Sequence, residues 1–173
     1  MVAVAAALAG AGWLALRIDL PFRQGRRTGP PLHSAARDRE GIRQAALVLR
    51  GLAPGRSAYL AGHSYGGRMS TMLAAEDSRI AEALLLLSYP LHPPKQPAKL
   101  RTEHFRDLRT PALFLHGSRD DFGTIEEMEA ALALIPARTR LIPVPGAGHG
   151  VPPKLAPQIA QWFSEFLLGQ NRK

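Results

Sequence analysis

Apolar positions along the chain of 173 residues follow two alternating rhythms. Five short runs are almost continuously apolar: residues 13–20, 58–62, 83–89, 112–116 and 140–144. Runs of this length bounded by turn formers read as strands buried on both faces. Between them, apolar side chains recur every three or four residues, the signature of a helix with one buried stripe. Ile42, Ala45, Ala46 and Leu49 mark one such helix, stopped at Gly51. Thr124 and Glu127 have the spacing of a capping box and open another, with Ile125, Met128, Leu132 and Ile135 facing inward. A last helix, over about residues 153–168, aligns Leu155, Ile159, Trp162, Phe163 and Phe166. At the start, residues 1–9 read as a buried helix ended by Gly10 and Gly12. Strands alternating with amphipathic helices predict an α/β fold, a mostly parallel sheet with helices on both faces. Residues 90–97, rich in proline, read as a loop within one domain spanning 1–173.

Composition narrows the class. With 46% hydrophobic and 21% charged residues the chain is that of a globular protein, and its length suits one domain. It contains no cysteine, which excludes a disulfide framework, a thiolate metal site and a cysteine nucleophile, and fits a reducing, cytoplasmic compartment. The net charge of +8 raises nucleic acid as a partner, but the basic residues are scattered, the densest group being Arg23, Arg26 and Arg27. No basic stripe interleaved with aromatics accompanies them, so a solvated arginine-rich surface is expected, with no nucleic-acid partner. The apolar start is broken by Gly10 and Gly12 and followed by Arg17 and Asp19, too short a run for a membrane span. No two of the six histidines have the spacing of a metal pair beside carboxylates, so neither metal nor cofactor is expected.

Parallel sheets bind ligands beyond the carboxyl ends of their strands, so candidate chemistry lies in the residues just after each apolar run. After the second stands Gly62-His63-Ser64-Tyr65-Gly66, a serine between glycines where a strand turns into a helix. Such a turn holds the serine in a strained, exposed conformation and makes it a candidate nucleophile. The same pattern also arises as a glycine-rich turn with a helix-capping serine. A serine hydroxyl needs a base to take its proton and an acid to orient that base. Asp120 and Asp121 follow the fourth run and His149, between glycines, follows the fifth. Asp121 competes with Asp120 as the acid, and the His116-Gly117-x-x-Asp120 spacing favours Asp120 only through the family resemblance given below. His63 lies inside the turn, His116 ends a strand, and His33, His92 and His104 fall in loops or helix starts, so His149 is the expected base.

The Gly62-to-Met69 segment, Tyr89-Pro90-Leu91-His92-Pro93-Pro94, Leu100-Arg101-Thr102-Glu103-His104 and His116-to-Gly123 together resemble small dienelactone-hydrolase-like α/β-hydrolases. The branch they look most like has eukaryotic relatives that include a testis-expressed protein and a subunit of a histone-acetylating complex. The likeness covers nearly the whole chain. It implies a triad of Ser64, His149 and Asp120, an oxyanion donor at the Tyr65 backbone N–H, and hydrolysis of a small ester or thioester without cofactor. Tyr89, Leu91, His92 and Phe122, which follow strand ends beside the triad, are the expected pocket lining. The alternative is a non-catalytic interaction domain on the same fold.

One departure from that family is expected to matter. Its members carry, ahead of the first helix, a central strand and a loop that supplies a second oxyanion donor, and this chain begins after that point. The expectation is therefore a shortened sheet of about five strands with a gap beside residues 13–20, and weak catalysis.

Overall fold

Four of the apolar runs become strands: β1 (Tyr59–His63), β2 (Ala83–Leu87), β3 (Ala112–Gly117) and β4 (Thr139–Val144). All pair in parallel and in chain order, β1-β2-β3-β4, with Tyr59 opposite Ala83, Leu84 opposite Ala112 and Ala112 opposite Thr139. The protein is described here by a computed structural model, over residues 1–25, 28–29 and 35–169. Arg26, Arg27 and His33 lie outside the described residues.

Helices are α1 (Val2–Gly10), α2 (Pro21–Gly25), α3 (Ala35–Leu52), α4 (Tyr65–Glu76), α5 (Ile125–Leu132) and α6 (Ala156–Leu168). Because successive side chains of a strand point to opposite faces, the sheet builds two cores. Leu84, Leu86, Ala112 and Phe114 join Ile42 and Ala46 of α3, Met69 and Leu73 of α4 and Met128 and Leu132 of α5 on one face. Ala83, Leu85, Leu87, Leu113 and Leu115 join Val4 of α1 and Ile159, Phe163 and Phe166 of α6 on the other. The capping box at α5 forms as the sequence predicts: Glu127 N–H donates to Thr124 Oγ1, and Thr124 N–H to Glu127 Oε2. Among the described residues no helix is long and apolar enough to cross a membrane.

Two expectations are corrected. The helix at the start forms, but only Val4 of it is buried; Met1 and Val2 are exposed. Residues 13–20 do not form a strand. Trp13 is anchored by ring contacts with Tyr59 and Phe163, at centroid distances of 5.3 and 5.8 Å. Beyond it, Leu14, Leu16 and Ile18 are 58%, 43% and 42% exposed. An apolar run becomes a strand only against a neighbour that completes its hydrogen-bond ladder. Here a cavity of about 1430 Å³ lies between this run and β1, so among the described residues neither edge has a partner across it.

Candidate active site

The site is built on the turn between β1 and α4. The strand ends at His63 and the helix begins at Tyr65, so Ser64 alone makes the reversal, at φ 51° and ψ −121°. A positive φ at a residue with a side chain is costly, typically about 1–3 kcal/mol, and persists only where the surroundings impose it. They do so by close packing of helix start on strand end. A Cβ on Gly62 would lie 2.5 Å from Gly67 N and 2.6 Å from the Gly66 carbonyl carbon, and one on Gly67 would lie 3.1 Å from Gly62 O. Gly66, the second glycine of the sequence motif, is not crowded: its nearest neighbour would be Leu20 Cδ1 at 4.0 Å. Gly67 is thus the second glycine that the turn requires.

Ser64 Oγ lies 2.6 Å from His149 Nε2, and His149 Nδ1 lies 2.9 Å from both Asp120 carboxylate oxygens. An ionised carboxylate can only accept, so Nδ1 carries the proton and Nε2 is free to accept from the serine hydroxyl. Burial pushes the Asp120 pKa up. Its hydrogen bond from His149, the Phe122 N–H at 2.9 Å and the nearby His149 and His116 rings outweigh that and hold it below its ordinary value. Asp121, by contrast, is exposed.

His149 rides on the loop after β4, and that loop presses against the end of β3. A Cβ on Gly117 would lie 2.3 Å from Gly148 O and 2.4 Å from Ala147 O. The loop is tied down by Arg119 N–H donating to Ala147 O at 2.8 Å and Gly146 N–H donating to Ser118 Oγ at 2.9 Å. Phe122 stacks on the His149 ring, with centroids 4.0 Å apart, and so holds the plane of the imidazole. The His63 ring sits 5.6 Å from that of His149, and burial, with help from His149 and the amino terminus, lowers its pKa. His116 is fully buried and its pKa is lowered by burial. Its Nε2–H donates to Gly123 O at 2.8 Å, pinning the turn that carries Asp120.

The remaining candidates have other surroundings. Tyr65 is the first residue of α4, so its N–H has no partner within the helix and lies beside the serine. Its phenol donates to Asp38 Oδ2 at 2.7 Å, and burial foremost raises its pKa well above the ordinary phenol value. Tyr89 and Leu91 are fully buried in the α3–α5 core, Tyr89 donating its hydroxyl to Arg101 O at 2.7 Å. His92 lies between Pro93 O and Glu127 Oε2, at 2.8 and 3.2 Å. None of these three lines the cavity that reaches Ser64; they support the loop above β2 rather than face it. Residues such as Leu16, Ile18 and Ala61 line it instead, residues that periodicity had assigned to buried strands.

Known proteins share this fold. The model of an alpha/beta hydrolase domain matches residues 1–160. Est1E from Butyrivibrio proteoclasticus, solved with ferulic acid bound, superposes with a TM-score of 0.77 at 19% identity over 96% of this chain and 82% of its own. TT1662 from Thermus thermophilus gives 0.74 at 25% identity over 96% and 82%. Dienelactone hydrolase from Anabaena variabilis gives 0.73 at 23% identity over 96% and 76%. With the family model covering residues 1–160 of its 173, the chain belongs to the α/β-hydrolase family.

Proposed function

We propose that the protein is a serine hydrolase that cleaves a carboxylic ester or thioester of modest size through an acyl-enzyme. The observation that carries this reading is the hydrogen-bonded chain from strained Ser64 through His149 to buried Asp120. Ser64 Oγ attacks the carbonyl carbon as its proton passes to His149 Nε2. The tetrahedral oxyanion is met by the Tyr65 N–H. Collapse breaks the bond to the leaving oxygen or sulfur, which takes the proton back from Nε2. Water then repeats the sequence on the acyl-serine and releases the acid. Asp120 stays ionised throughout and stabilises the imidazolium.

Family membership and structural neighbours that include a dienelactone hydrolase support hydrolase chemistry on this fold. The Tyr89-to-Pro94 block supports the finer kinship with small dienelactone-hydrolase-like proteins. The Tyr65 amide is the oxyanion donor that follows from the turn.

A fluorophosphonate probe tests the reading, because it phosphonylates only a serine activated by its base. Labelling of the wild-type chain that is lost in Ser64→Ala is expected. A folded wild-type chain that stays unlabelled at millimolar probe would leave an interaction domain as the better description. Hydrolysis of p-nitrophenyl esters of increasing chain length would then define the acyl group.

A further inference from the structure

Among the described residues the fold buries two carboxylates, Asp120 and Asp38. Asp120 orients the base. Asp38, 1% exposed in the first turn of α3, has no part in the triad. A carboxylate loses its hydration on burial, and stability alone would favour an apolar side chain in its place. Both of its oxygens are taken: the Tyr65 hydroxyl donates to Oδ2 at 2.7 Å and the Phe22 N–H to Oδ1 at 2.9 Å. Arg39, next to it in the chain, pairs with Glu76 instead, at 2.8 Å.

Both donors belong to the surroundings of Ser64. Tyr65 carries the N–H that meets the oxyanion, and the Phe22 ring stands edge-on to the Tyr65 ring, with centroids 5.1 Å apart. The Tyr65 amide shares one rigid peptide plane with Ser64 O. That oxygen accepts from Arg68 N–H at 3.0 Å, the first bond of the helix. On its other side the plane hangs on Ser64, whose φ of 51° is a strained value that a loosened turn would relax. The remaining hold on the plane is the Tyr65 side chain. Its ring is rigid, so fixing the hydroxyl at one end restrains Cα at the other. Burial foremost, then the hydrogen bond to Asp38, raises the phenol pKa, so the hydroxyl keeps its proton and stays a donor. Asp38 in turn stands on a helix set in the core by Ile42 and Ala46. Pro21 packs closely on that helix, since a Cβ on Gly41 would lie 2.7 Å from Pro21 Cδ. The carboxylate thus joins α2, α3 and α4 at the first residue of α4.

We infer that Asp38 is a positioning residue for the oxyanion donor: through the Tyr65 hydroxyl it holds the Tyr65 N–H where the oxyanion forms. The inference rests on the hydrolase reading and adds to it a residue that acts on the transition state. The oxyanion exists only after attack, so losing the hold lowers kcat and spares KM.

The test compares Tyr65→Phe, Asp38→Ala and the double variant in p-nitrophenyl acetate hydrolysis. Each single variant should lose about 10-fold in kcat, with KM within about twofold of wild type. The double variant should lose no more than about threefold beyond either, because the two groups act as one unit. Phenylboronic acid, whose adduct with the serine carries the oxyanion, should bind about 10-fold more weakly to all three. Thr124→Ala, which weakens α5 away from the serine, is the control and should keep its kcat. If Asp38→Ala does not fold, Tyr65→Phe decides, since it removes one oxygen and keeps the ring. A readout without catalysis is the order parameter of the residue-65 amide in ¹⁵N relaxation. It should fall from about 0.85 to below about 0.6 in the variants, with Met69 unchanged. A kcat within about threefold of wild type in Tyr65→Phe, losses that multiply in the double variant, or a residue-65 amide as ordered as before overturns the inference. A wild-type chain that neither hydrolyses esters nor takes the fluorophosphonate, but shows the loss of order in the variants, would sink the hydrolase reading and uphold the hold of Asp38 on the amide.

Discussion

Gly117→Ala tests whether the contact between the β3 end and the His149 loop sets the geometry of the base. The added Cβ would stand 2.3 Å from Gly148 O and 2.4 Å from Ala147 O, both backbone atoms that cannot rotate away. Ordinary carbon-to-oxygen contact needs the loop to retreat by about 1 Å. His149 follows Gly148 directly, so the displacement reaches Nε2, whose 2.6 Å contact with Ser64 Oγ has no slack. A misplacement of about 1 Å at a catalytic group costs on the order of 100-fold in rate. Overpacking of this kind also costs about 1–3 kcal/mol of stability. For a domain of this size that lowers the melting temperature by about 2–12 °C. The assay is the second-order rate of fluorophosphonate labelling, with calorimetry alongside. Gly150→Ala is the control, since a Cβ there meets nothing within 4 Å. A Gly117→Ala chain that labels within about threefold of wild type, or an equal loss in Gly150→Ala, would refute the reasoning.

Asp120→Asn should slow turnover of p-nitrophenyl acetate by about 10⁴-fold, because an amide donating to Nδ1 leaves the proton on Nε2, whereas exposed Asp121→Asn should stay near wild type; equal losses would overturn the assignment of the acid. His104 makes a pH-dependent contribution to stability: burial foremost pushes its pKa down from 6.5 to about 4, so the unfolded chain takes up the proton first as pH falls. Stability should drop by about 2–3 kcal/mol between pH 6.5 and 4, and His104→Gln should flatten that part of the urea-unfolding profile; an unchanged slope would count against it. Thr124→Ala removes the α5 cap and should cost about 1 kcal/mol, read as a lower melting temperature at an unaltered labelling rate.

How far the chain alone could be read is set by the range of each interaction. Strands β1 to β4, the α3, α5 and α6 stripes and the capping box depend on periodicity and local hydrogen bonds, and the sequence specified them within one or two residues at most ends. The turn around Ser64 was legible too, because strain at a strand-to-helix reversal demands glycine nearby. Which glycine was not: Gly67, rather than Gly66, meets the strand, a matter of which Cβ direction points at β1. Asp120 was separable from Asp121 by motif spacing, but the reason emerged only when β3 and the 146–149 loop came together through Gly117. Tyr89, Leu91 and His92 looked like pocket residues because they follow a strand, yet the loop folds them into the core and against Glu127. Residues 13–20 show the limit most plainly. Their apolar pattern suits a strand, but a strand is a property of two chains' backbones side by side, and no local pattern records whether the neighbour is there.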